Sequence, residues 1–114
     1  MLENSLIQFE DFEKVQIHVG QIIEAKPNLK AIKPAYILTI DFGELGIKTS
    51  SAQLTQNYSI EDLIDKKIIA VVNFPVKKIA GVKSEVLVLA TICNKLGTLL
   101  ISADSKAING SRIK

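Results

Sequence analysis

Ser59-Ile60-Glu61-Asp62-Leu63-Ile64-Asp65-Lys66-Lys67-Ile68-Ile69-Ala70-Val71-Val72-Asn73 places one short helix directly before an apolar strand. Ser59 and Asp62 have the spacing of a capping box in its Asp form, so the helix opens there and runs through Ile64. Lys66 and Lys67 suit its C-terminal end. Residues 68–73 are almost wholly apolar, as in a strand covered on both faces. Upstream, Tyr36, Leu38, Ile40 and Phe42 alternate with Ile37, Thr39 and Asp41, which predicts a strand. Residues 42–46 turn tightly into another, 47–51. In residues 15–25, Ile17 and Val19 point one way and the phase slips at Gly20, which predicts a β-bulge at the glycine. Leu2, Leu6, Phe9 and Phe12 predict an amphipathic helix over 2–13. Downstream, 74–84 reads as a long loop, 85–92 as a fifth strand, and 99–102 as a further short strand before an irregular tail.

Three strands, a lone helix and two more strands is the order of the OB-fold, a partly open five-stranded barrel. The fold class is therefore all-β, with the short helix between strands 3 and 4. A short-stranded sandwich is the rival, and the helix after the third strand favours the barrel. With 114 residues, the chain is one domain. It divides into an N-terminal helix (1–13), a barrel core (14–93) and a C-terminal extension (94–114). A composition of 47% hydrophobic and 23% charged residues excludes a disordered chain. The apolar fraction is high for a small domain, which points to a subunit interface, the alternative being an all-β core rich in Ile and Val. No apolar run reaches the roughly 20 residues of a membrane span, and no basic, apolar leader opens the chain. With Cys93 as the single cysteine, a cytoplasmic protein is expected.

The connections flanking an OB binding face are residues 26–34 and 74–84. The first holds Lys26, Lys30 and Lys33, the second Lys77, Lys78 and Lys83, and neither contains an acid. Lysines gathered on one surface suit phosphate oxygens, since each contact releases condensed counterions. Lys48, on the third strand, extends the same face in this reading. The chain lacks Trp, and few rings lie near the face, with Phe42 assigned to the core. That argues against a general single-strand coat and for backbone and shape reading of folded RNA.

Several stretches together resemble one family. Val15-Gln16-Ile17-His18-Val19-Gly20 is similar to the opening motif of the tRNA-binding OB domain appended to some aminoacyl-tRNA synthetases. Lys48-Thr49-Ser50-Ser51-Ala52-Gln53, Asn73-Phe74-Pro75 and Ser84-Glu85-Val86-Leu87-Val88-Leu89 look more like the free-standing, CsaA-type members. The resemblance implies a homodimer, tRNA binding across the barrel face and a role as a chaperone for exported proteins. It implies RNA contact by Ser50, Ser51, Asn73, Lys77, Lys78, Lys83 and Ser84; Lys30 and Lys33 join them from the loop charge. Positions 16 and 18, usually Asp and Arg in the family, are Gln16 and His18 here.

Enzyme chemistry finds little support. His18 is the sole histidine, so a histidine-based metal site and a dyad with a second orienting histidine are excluded. Cys93 ends an apolar strand and reads as inert. Asp41 and Glu44 read as a solvated turn. No glycine-rich phosphate loop is present, and no cofactor is expected. The alternative partner is an unfolded or presecretory polypeptide, because Ile32, Phe74, Val76, Ile79 and Val82 interleave with the loop lysines.

Overall fold

In the computed structural model, which describes residues 5–114, five of the strands form one sheet in the order β3-β2-β1-β4-β7. These are β1 (Ile17–Pro27), β2 (Tyr36–Asp41), β3 (Ile47–Ala52), β4 (Lys67–Val71) and β7 (Leu87–Val88). Every neighbouring pair is antiparallel, so β3 and β7 at the two edges run in the same direction. The edges meet: Glu85 N donates to Thr49 O at 2.9 Å, and Ser50 Oγ donates to Val86 O at 3.0 Å. The result is the predicted OB-like barrel.

Strand β1 turns the barrel corner by changing partners. Its first part pairs with β4 and its second with β2, Gln21 serving both. The bulge lies at Ile23, between the pairs Ile22–Ile40 and Glu24–Thr39, and not at Gly20. The glycine answers a packing need instead. A Cβ there would stand 2.6 Å from both Ile40 Cγ2 and Phe42 Cε1, two fully buried side chains. The core consists chiefly of Ile22, Leu38, Ile40, Phe42, Leu54, Leu63, Ile68 and Val86. Leu63 comes from α2 (Ile60–Leu63), whose capping box forms as predicted: Ser59 N donates to Asp62 Oδ2 and Asp62 N to Ser59 Oγ.

Three segments differ from the sequence reading. The N-terminal helix is shorter, α1 (Phe9–Glu13), capped by Gln8 and Asp11; Leu2, the first residue of the predicted stripe, lies outside the described residues. The 74–84 segment is a β-hairpin, β5 (Lys77–Ile79) and β6 (Val82–Ser84). Its turn residues Ala80 and Gly81 have φ of 48° and 82°, the positive pair a type I′ turn requires. The predicted fifth strand breaks at Leu89. Its first part serves the barrel, while β8 (Ala90–Cys93) pairs with β9 (Gly97–Leu100) as a separate hairpin. The C-terminal tail docks on β1, with Val19 N donating to Ser111 O and Ile113 N to Ile17 O.

Candidate nucleic-acid interface

The loop over 28–35 is shaped from inside. Asn28 is buried; its N–H donates to Ala35 O and its Oδ1 accepts from Lys30 N at 3.2 Å. Ala31 N closes a turn on Asn28 O. This Asx-stabilised turn holds the side chains of Leu29, Lys30, Ile32 and Lys33 out in solvent.

The β5–β6 hairpin sits against the barrel edge. Thr49 Oγ1 donates to Lys83 O at 2.6 Å, and Ser51 N donates to Ser84 Oγ at 3.3 Å. Directly paired residues share a face. Lys77–Ser84 and Ile79–Val82 therefore face one way, and Lys78–Lys83 the other. Ile79 and Ser84 line an apolar cleft of about 420 Å³ bounded also by Ser51, Leu87, Ile92 and Leu100. The two lysine loops meet at the turn: Lys30 Cδ lies 3.3 Å, and its Nζ 3.7 Å, from where a Cβ on Gly81 would stand. Among the described residues the ion pair is Lys14–Asp11, and no carboxylate pairs with a loop lysine.

The residues proposed from sequence thus divide. Lys30, Lys33, Lys77, Lys78 and Lys83 are exposed on the loop and hairpin, with Ser51 and Ser84 half-buried at the hairpin's base. Ser50 leaves the set: it is 2% exposed, and its hydroxyl closes the barrel on Val86. Strand parity puts Lys48 opposite Ile40, on the side of β3 that faces the core, so it does not extend the outer face. Asn73 is exposed but both ends of its amide are engaged, Oδ1 accepting from Gln16 N and Nδ2 donating to Lys14 O. The outer face of β1–β3 is not uniformly positive, because Glu24 shares it with Thr39 and Glu85 lies against Thr49. The positive surface is the loop and the hairpin.

Sequence reasoning missed Thr49, whose hydroxyl fastens the hairpin to β3. Only the family motif that contains it marked the position. The Ala-Gly turn was also hidden, since alanine seldom takes positive φ. Cys93 is exposed, contrary to the inert reading, and the N–H groups of Leu96 and Lys95 hold its thiol below the ordinary value. His18 is buried under the C-terminal tail with Nδ1 2.8 Å from Gly110 O.

An OB barrel with an acid-free basic hairpin at its edge defines a class, and the chain belongs to the tRNA-binding domain family, whose family model matches residues 17–112. Within that class it is similar to the CsaA chaperone protein of Picrophilus torridus. The two are 50% identical with a TM-score of 0.89, over 96% of this chain and 100% of that one. Chaperone CsaA of Bacillus anthracis str. Ames is 44% identical, also at a TM-score of 0.89, over 96% and 99%. Methionine–tRNA ligase of Pyrococcus horikoshii is 34% identical over 112 residues, 98% of this chain. The chain spans about 15% of the length of that ligase and of the Flavobacterium johnsoniae enzyme it also matches.

Proposed function

We propose that this chain binds folded RNA, tRNA foremost, as a non-catalytic homodimeric module in the cytoplasm. The contact surface is the β5–β6 hairpin with the 26–34 loop. Lys78 and Lys83 carry the reading: they stand directly opposite each other in a two-stranded ribbon, and Lys30 reaches over the same turn. Like charges facing across strands destabilise a ribbon. A phosphate between them relieves that repulsion and releases counterions as it binds. Membership of the tRNA-binding domain family supports the same partner.

The dimer is supported by apolar surface left in water, Leu87 at 50% and Ile92 at 84% exposure beside the apolar cleft. That cleft also favours a second reading, a holder of unfolded or presecretory polypeptide; the name of the similar CsaA proteins, chaperone, supports it. No helix among the described residues is long and apolar enough to cross a membrane.

The test is tRNA titration by fluorescence anisotropy across a salt series, comparing wild type with Lys78→Ala/Lys83→Ala. The double variant is expected to keep or gain thermal stability. It should bind all tRNAs more weakly, with the slope of log K against log salt reduced by about 2. Unchanged affinity overturns the hairpin site, and salt-insensitive binding of an unfolded polypeptide instead of tRNA favours the second reading. Sedimentation of the same samples at micromolar concentration checks the dimer, and a monomer removes that part.

A further inference from the structure

Leu29 is 92% exposed and Ile32 is 102% exposed. Single exposed aliphatic residues are ordinary on protein surfaces. These two share one loop tip, and nothing among the described residues covers either. The tip is also built to stay as it is. Pro27 and Pro34 bracket it, the buried Asn28 holds its turn from within, and Lys30 between them extends across Gly81 of the hairpin. An apolar pair held out in solvent by a pre-organised loop gains nothing from folding. A partner that covers it gains the whole hydrophobic contact with little ordering cost.

Charge decides which partner. The tip has no acid from 25 to 40 and is continuous with the lysines of the hairpin, so the covering surface is anionic around an apolar centre. A phosphate-rich RNA that presents unstacked base faces has that character, whereas a paired stem turns only its charged backbone and sugars outward. Two side chains are also a thin anchor for a bilayer, which takes a wider apolar face or a second signal.

Resting on the RNA reading above, we infer that Leu29 and Ile32 are specificity-determining contacts that pack against unpaired bases of the bound RNA. The lysines supply attraction to any RNA backbone, and the aliphatic tip selects RNA with splayed bases. The two contributions differ in salt dependence, because apolar contact releases no counterions.

The experiment titrates the full chain with tRNA and with a blunt RNA duplex of similar length, over a salt series, for wild type, Leu29→Ser/Ile32→Ser and Lys30→Ala/Lys33→Ala. Both substituted pairs are exposed, so unfolding curves should match wild type. The serine variant is expected to lose about tenfold in tRNA affinity, equivalent to about 1.4 kcal/mol. It should keep the wild-type salt slope and its duplex affinity. The lysine variant should weaken both RNAs and lower the slope by about 2. Equal loss on tRNA and duplex, a changed slope in the serine variant, or wild-type tRNA affinity overturns the inference while leaving the RNA reading intact. So does wild-type tRNA affinity combined with lost sedimentation on anionic phospholipid vesicles, which assigns the tip to a membrane. A wild-type chain that binds no tRNA at low salt overturns both.

Discussion

Ser50→Ala separates a structural serine from an RNA-contacting one. Ser50 lies in a stretch shared with the tRNA-binding family, yet its side chain is sealed between β3 and the start of β7, donating to Val86 O at 3.0 Å. Removing the hydroxyl leaves that carbonyl without this donor in a region where Val86 itself is 4% exposed. An abandoned buried acceptor costs about 1–3 kcal/mol. For a domain of this size each kcal/mol lowers the melting temperature by about 4 °C, so the expected drop is about 4–12 °C. The seam it closes is the one between the barrel's two edges, and the loss should appear in denaturant midpoint as well as in thermal unfolding. tRNA affinity, measured well below the lowered melting temperature, should stay within about twofold of wild type, since changes away from a contact are small. Ser51→Ala is the control: Ser51 points outward beside Ser84 and should change stability by less than about 0.5 kcal/mol. A Ser50→Ala protein with wild-type stability and lost RNA affinity would refute the assignment of this hydroxyl to the barrel seam.

Three further substitutions probe the fold. Gly20→Ala forces a methyl to within 2.6 Å of Ile40 and Phe42 and should destabilise by about 1–3 kcal/mol. Adding Phe42→Leu should recover part of that loss, and strict additivity in denaturant unfolding would show that the ring is not what the glycine accommodates. The Asp62 carboxyl is held below the ordinary aspartate value, chiefly by the backbone N–H of Ser59 and then by its hydroxyl, with Lys66 adding attraction. Its folded pKa is therefore lower than its unfolded one, so the carboxylate stabilises the native state at neutral pH. That contribution is lost as pH falls through the lowered folded value, below about pH 4. The melting-temperature advantage of wild type over Asp62→Asn should shrink across that range, and a pH-independent gap would contradict the capping account.

Local rules made much of this protein legible. The strand alternation in 36–42, the Ser59–Asp62 box and the apolar run from Ile68 each depend on residues within one turn or one pleat, so the barrel order could be read directly. The acid-free composition of two connections was equally visible, because charge survives folding unchanged. What those connections look like was not. The 74–84 segment is a ribbon because β6 docks on β3 through Thr49, a contact between residues 34 apart in the chain, and its turn uses an alanine at positive φ. Gly20 read from sequence as a bulge, but the bulge lies at Ile23, and the glycine answers to the buried Ile40 and Phe42 side chains, whose position no local rule gives. The family motif flagged Ser50 and Ser51 alike. Which hydroxyl is sealed in the seam and which faces outward depends on strand parity relative to a core assembled from distant strands. Charge and periodicity are properties of the chain; exposure, pairing and facing are properties of what the chain packs against, and those decide which lysines and serines a partner can reach.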